Sequence, residues 1–343
     1  MITPKATVNC CKASNIITMR AISTAMRHWI KPLLLVALSF TLVTACYQPS
    51  SQTPSSLSKN SDGTETCKVV QHALGETCIP ANPQRIVILD EFYLLDALSA
   101  LDVKLVGYTP CQACIPSEIL SEFVANIPKL GNVTAPSLET IVSLKPDLIL
   151  GLPWQEQFYP RLSEIAPTVI VEDPDLNGFI PTLRYLAEIL DKNKLVDDIV
   201  ADYDRKVSAF RQQFGEKLQD KTVSVIGVDQ TSFYIEKLGT RIYNQVMDDA
   251  GVQFSPAHAT IKTIGYHPIN IEALPQWDAD FLFVIRNYKR HAEDFKLLTQ
   301  KPIWSTLNVV KNKQVHPMVL DVWGPITVNQ FIDDLYEYFS NNL

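Results

Sequence analysis

Residues 195–214 read Leu195-Val-Asp-Asp-Ile199-Val-Ala-Asp-Tyr203-Asp-Arg-Lys-Val207-Ser-Ala-Phe210-Arg-Gln-Gln-Phe214. The apolar residues Leu195, Ile199, Tyr203, Val207, Phe210 and Phe214 recur in steps of 4, 4, 4, 3 and 4, which traces one face of an α-helix. A helix of about 20–24 residues is about 30–36 Å long, enough to run down the back of two lobes and join them. An ordinary helix inside one lobe would show the same periodicity. Length and central position favour the bridge.

What flanks this run follows one grammar on both sides. Before it come the β-branched stretches Arg85–Leu89, Lys104–Tyr108, Asp147–Gly151 and Thr168–Val171, with helical patterns at Glu91–Leu101, Ser137–Leu144 and Pro181–Leu190. Ser137 is a candidate N-cap with Glu139 in the first turn. After it come strands at Thr222–Val228, Asp280–Ile285 and Gln314–Leu320. Helices are expected there at Thr240–Ala250, closed by Gly251, and from Thr327 to Phe339. Apolar strands alternating with helices predict sheets covered on both faces. The expected fold is therefore α/β: two Rossmann-like lobes with mostly parallel sheets, joined by one long rigid helix. The lobes are placed at residues 65–190 and 219–343, with the helix at 191–218.

The start of the chain carries a different signal. Residues 1–45 hold Lys5, Lys12, Arg20, Arg27 and Lys31 and no acid. The apolar run Leu33–Val43 is too short for a membrane span, which needs about 20 residues, and suits a signal-peptide core. It ends in Val43-Thr44-Ala45-Cys46, which resembles a lipoprotein lipobox, so residues 1–45 read as a signal peptide and Cys46 as the lipidated N-terminus. Met19 or Met26 would serve equally well as the start. Residues 46–64, rich in Ser, Pro and Gln, read as a flexible tether. The whole chain of 343 residues carries a net charge of -7. Removing the leader takes away five cations and no anions, leaving 25 against 37, or −12. Such a balance disfavours nucleic acid as a partner.

Four cysteines remain for an exported, oxidising setting: Cys67, Cys78, Cys111 and Cys114. Three pairings are possible, and proximity favours Cys67–Cys78 and Cys111–Cys114. The Cys-Gln-Ala-Cys pair also admits a redox or metal reading. A redox cysteine wants a helix N-terminus, whereas Pro110 and Pro116 bracket a loop here, and no nearby His completes a zinc site. A loop staple is the favoured reading.

Several stretches together resemble periplasmic iron-siderophore substrate-binding proteins of ABC importers. They are His72-Ala-Leu-Gly-Glu-Thr, Pro83-Gln-Arg-Ile-Val-Ile-Leu-Asp90, Leu130-Gly-Asn-Val and Ser137–Leu150. Further on come Ile271–Asp280, Pro302-Ile-Trp304, Val309–Val315 and Gly324-Pro-Ile326. The resemblance runs from about residue 66 to the C-terminus. It implies a two-lobed fold that closes modestly, no cofactor, and capture of a ferric siderophore between the lobes. It also implies an ABC permease dimer with its ATPase subunits as partner. The protein would be a monomer, lipid-anchored in the periplasm or on the outer face of the cytoplasmic membrane. The family's permease-docking acids correspond to Glu139 and Glu272. Each is also a first-turn acid that favours a helix dipole by about 0.3–1 kcal/mol.

No ligand residue follows from the motifs. A chelate cleft wants aromatic walls and Arg forks for anionic oxygens, placed beyond strand ends. Candidates by position are Tyr108, Trp154, Arg161, Tyr234, Arg241, Tyr266, Arg286 and Trp323, with Tyr288 and His267 beside them. Arg286 and Trp323 stand immediately after strands. Tyr266 and His267 are expected in a Gly/Pro-flanked loop. With so acidic a body, an anionic chelate would rely on these arginines. Haem or cobalamin is the nearest competing cargo, and haem would ask for an axial Tyr or His. Bare metal capture would need converging His and carboxylates, for which six His and no His-rich loop are poor material. Hydrolase and NTPase motifs are absent, so no enzyme is expected. The remaining enzymatic candidate is a thiol oxidoreductase through Cys111/Cys114, and a scaffold without a small ligand is a third class.

Overall fold

Each of the β-branched runs forms a strand in a computed structural model that describes residues 67–229 and 232–343. The signal peptide, Cys46 and the tether lie outside the described residues. In the N-terminal half, Leu105–Tyr108, Ile86–Ile88, Leu148–Gly151 and Thr168–Ile170 lie side by side in that order, every neighbour parallel. Ile86, Val87, Ile88 and the whole of Leu148–Gly151 are buried, as expected of strands covered on both faces.

The C-terminal half holds a five-stranded sheet ordered Tyr266–Ile269, Ser232–Glu236, Val223–Asp229, Phe281–Ile285, Val315–Met318. Its last three strands are parallel, and the first two are added antiparallel. Tyr266 and His267 therefore sit in an edge strand and not in a loop. Pro268 had argued for a loop, but proline is tolerated on an edge, where no ladder donor is needed on the open side. A further hairpin, Cys67–His72 with Gly75–Pro80, was not anticipated. Its two strands carry the Cys67–Cys78 disulfide, and the second disulfide joins Cys111 to Cys114.

In chain order the helix Asn193–Leu218, of 26 residues, comes between the two sheets and packs on the helices Phe179–Ile189 and Pro325–Asn342. Tyr203, Val207, Phe210 and Phe214 are buried, as the periodicity required. Leu195 is not, and Val196 takes its place in the core. The cause is angular: repeated steps of four drift about 40° each, whereas Val196, Tyr203 and Phe210 are seven apart and stay aligned. Phe210 and Phe214 meet Phe339 and Tyr336 of the final helix, Pro325–Asn342, at ring distances of 5.1–6.3 Å. One apolar core thus takes in Ile88 and Leu150 from one sheet, Phe210 and Phe214 from the helix, and Phe283 from the other sheet. Removing one such ring costs about 3–5 kcal/mol, so packed apolar surface, with the long helix, joins the halves.

A polar tie reinforces it. The buried carboxylate of Asp96, in helix Tyr93–Ala100, accepts the N–H of Ile326 at 2.8 Å and of Thr327 at 3.0 Å. It also accepts the Thr327 hydroxyl at 2.6 Å. An acid from the first half thereby satisfies the open N-terminus of the last helix.

Candidate functional site

Parallel strands from both sheets, three in the N-terminal half (Ile86–Ile88, Leu148–Gly151, Thr168–Ile170) and two in the C-terminal half (Phe281–Ile285, Val315–Met318), lead into one cavity of about 470 Å³. Its wall is built from residues that follow strands: Asp90, Phe92 and Tyr93 after Ile86–Ile88, Trp154 after Leu148–Gly151, and Asp175 after Thr168–Ile170. From the other half come Asn287 and Tyr288 after Phe281–Ile285, and Asp321 and Trp323 after Val315–Met318. The strand-end rule for open α/β sheets therefore locates this site. The antiparallel strands add Tyr234, Glu236 and Tyr266.

Aromatic rings from the two halves meet across the wall. Trp323 stacks on Phe92 with centroids 4.6 Å apart and meets Tyr93 edge-on at 5.0 Å. Its indole N–H donates to Asp321 Oδ1 at 2.5 Å. Trp154 leans toward Tyr93 at 6.1 Å and is 42% exposed, leaving ring surface for a ligand. Tyr234 and Tyr266 form an edge-to-face pair at 4.8 Å. Burial pushes the Tyr266 phenol up to about 12 despite the nearby Arg241, so these phenols stay protonated and can donate.

Arg241 is the single guanidinium in the wall among the described residues. Its Nε donates to Glu236 Oε1 at 2.7 Å, and Nη1 is bonded to the carboxylate of Asp175. The guanidinium carbon lies 5.2 Å from the Tyr266 ring centroid. Tyr93 donates to Asp175 Oδ2 at 2.7 Å, and Tyr243 to Glu236 Oε2 at 3.0 Å. Burial works against its charge, but the two carboxylates outweigh it and hold Arg241 well above the usual arginine range. Asp90, fully buried, takes N–H bonds from Phe92 and Leu94, yet burial still pushes it up to about 7.

The Cys111–Cys114 loop forms part of the same wall. Ile115 N–H donates to Asn287 O at 2.8 Å, and Lys289 N–H to Ala113 O at 3.3 Å.

Five of the eight residues chosen from sequence are brought together: Trp154, Tyr234, Arg241, Tyr266 and Trp323, with Tyr288 beside them. Three are not. Tyr108 is buried at its strand end and faces a separate cavity with Glu91 and Lys129. Arg161 is exposed in the short helix Tyr159–Ser163, a solvated face one loop beyond the strand end. Ile285 and Asn287 line the cavity, and extended-chain alternation leaves Arg286 between them out of the lining. Its buried Nε has no partner among the described residues. His267 is also turned away, bonded to Thr263 O at 2.7 Å.

Phe92, Tyr93, Asp175 and Glu236 were missed. The first three follow strands just as Trp323 does, so the same rule would have found them. Glu236 lies in a strand that the reading did not anticipate. Glu139 and Glu272 are exposed and in no ion pair among the described residues. Their helical turns open alike: Ser137 Oγ accepts Thr140 N–H at 3.3 Å, and Asn270 Oδ1 accepts Glu272 N–H at 3.3 Å. Among the described residues no three His, Cys, Asp or Glu side chains gather as metal ligands, and no helix is long and apolar enough to cross a membrane.

Residues 87–318 match the family described as periplasmic binding protein. The chain is 29% identical over 331 residues to the probable siderophore-binding lipoprotein YfiY of Bacillus subtilis, covering 92% of this chain and 99% of that protein. It is 31% identical over 232 residues to the ferric-anguibactin-binding protein FatB of Vibrio anguillarum, covering 64% and 69%. The crystal structure of Staphylococcus aureus SirA complexed with staphyloferrin B superposes with a TM-score of 0.68 at 28% identity, covering 79% of this chain and 98% of SirA.

Proposed function

The chain belongs to the periplasmic binding protein family, and from that premise we propose that it is an extracytoplasmic lipoprotein that captures a ferric siderophore and delivers it to an ABC permease. The observation that carries this reading is the aromatic cavity at the strand ends of both sheets, in a chain whose relatives bear siderophore-binding names. Its volume suits a small-molecule site of about 300–1,000 Å³. Phe92, Tyr93 and Trp323 supply apolar ring surface for chelator arms, while the hydroxyls of Tyr234, Tyr266 and Tyr288 meet its oxygen rim. The protein binds and releases without catalysis. Among the described residues the wall contains no histidine, so these residues offer haem no imidazole axial ligand there.

Within this proposal Cys46 is the lipidated N-terminus and residues 46–64 are the leash that holds a monomeric body at the membrane's outer face. Glu139 and Glu272 are the contacts to the permease. The lobes span residues 65–190 and 219–343, with 191–218 as the helix between them.

Gel filtration of the full chain in mild detergent with radioiron-labelled ferric chelates tests the function. Co-elution of one iron per chain with at least one chelate is the expected result. Absence of co-eluting iron across hydroxamate, carboxylate and catecholate chelates, with haem bound instead, would overturn it.

A further inference from the structure

The charge of the cavity wall carries information about the ligand. Among the described residues four carboxyl groups line it, Asp90, Asp175, Glu236 and Asp321, against the single guanidinium of Arg241. Among the described residues no lysine lines it; Lys129 and Lys289 border the neighbouring cavity with Glu91. Arg241 has no surplus charge to offer, because Asp175 and Glu236 both bond to it from side chains that are 8% and 7% exposed. Among the described residues Asp321 is held by neutral donors only, the Ser117 hydroxyl at 2.5 Å and the Trp323 indole. Its charge is left uncancelled. Even with Asp90 protonated, acids outnumber cations in the wall.

An anionic ligand that gives up its hydration in such a cavity meets, among the described wall residues, no cation without a carboxylate partner. A cationic one gains from Asp321 and from ring faces of Trp154, Tyr234 and Tyr288 that attract positive charge. Ferric chelates differ sharply on this axis. Three hydroxamates cancel the charge of ferric iron, and an amine tail adds a positive one. Three catecholates or a pair of citrates leave the chelate strongly anionic.

We infer that the cavity selects ferric chelates of neutral or positive overall charge, with trihydroxamates as the best-fitting class, and discriminates against carboxylate and catecholate chelates. The inference rests on the siderophore reading above and narrows it.

The test is calorimetric titration of the full chain in neutral detergent at pH 7.5 with four probes. They are ferrioxamine B, a cationic trihydroxamate; ferrichrome, a neutral one; and ferric dicitrate and ferric enterobactin, both anionic. The trihydroxamates are expected to bind at least about tenfold more tightly than either anion. An anionic chelate that binds as tightly or more tightly overturns the charge inference and leaves the siderophore reading standing. No binding by any probe overturns both.

Two variants make the electrostatic origin visible. Glu236→Gln keeps the shape and one acceptor oxygen for Arg241 Nε, and its NH2 meets the Tyr243 hydroxyl as a donor in place of the carboxylate acceptor, while the charge of Arg241 is released. Asp321→Asn removes an acid from a loop, where folding is least at risk. Each is expected to narrow the gap between ferrioxamine B and ferric enterobactin several-fold. An unchanged gap in both folded variants overturns the inference.

Discussion

Cys114, from the first half of the chain, pairs backbone to backbone with Tyr288 of the second in an isolated antiparallel bridge at the edge of the cavity. The disulfide between Cys111 and Cys114 closes the strap, and Lys289 Nζ donates to Gln112 O at 3.0 Å on its outer side. The cysteine pair is therefore part of the wall and also a tie between halves.

Opening that disulfide, by reductant or by the double substitution Cys111→Ser and Cys114→Ser, should loosen the strap without unfolding the body. A loop this short contributes about 2 kcal/mol, well below the total stability of a domain. Faster amide exchange at Ile115 and Lys289 and a several-fold weaker chelate affinity are expected. Unchanged exchange would show that the backbone bonds hold the strap alone.

Gly227 lies directly beneath the ring of Tyr234, its cross-strand partner. A Cβ at that position would stand 1.9 Å from the tyrosine Cζ. Gly227→Ala must push the ring into or away from the cavity, at a cost of about 1–3 kcal/mol. Denaturant titration should register that loss, and chelate affinity should fall about tenfold. Wild-type affinity would place Tyr234 outside the contact.

Asp90 makes stability depend on pH in an unusual direction. Burial raises its carboxyl from 3.8 to about 7, while the N–H bonds from Leu94 and Phe92 pull the other way. The folded state thus holds the proton more tightly than the unfolded chain. That stabilisation is complete below about pH 4 and is lost as pH rises through about 7. Denaturation midpoints at pH 5 and pH 8 should show Asp90→Asn gaining about 2 kcal/mol on the wild type over that interval. A constant difference would mean that Asp90 stays ionised throughout.

Glu139 and Glu272 are exposed on their respective halves and distant in role from the cavity wall. Replacing both with alanine should leave chelate affinity unchanged and reduce radioiron uptake by cells about tenfold, because lost charge pairs weaken a docked complex. Full uptake by the double variant would remove them from the permease contact.

The fold was legible because its signals are local. Runs such as Ile86–Ile88 and Phe281–Ile285 are continuous and β-branched, and the long helix shows its period over several turns. What escaped was set by tertiary context. Tyr266–Ile269 becomes a strand only because Ser232–Glu236 offers it an edge, and Val196 replaces Leu195 through angular drift. The cavity's position followed from the strand ends, which gathered Trp154 and Trp323. Its polarity did not follow: that Arg241 would be spent on Asp175 and Glu236 depends on residues 66 and 5 positions away in the chain. Arg286, one residue out of phase with the wall, shows how a positional rule fails without knowledge of side-chain direction.

The most direct test of the account is the position of the iron. Crystals of the chain grown with a ferric chelate that it binds, measured at the iron absorption edge, would locate the metal by its anomalous signal. One iron peak per chain inside the cavity bounded by Trp154, Tyr234, Tyr266 and Trp323 is the predicted result. A peak outside that wall, or none at an occupied chelate site, would contradict the claim that this cavity carries the cargo.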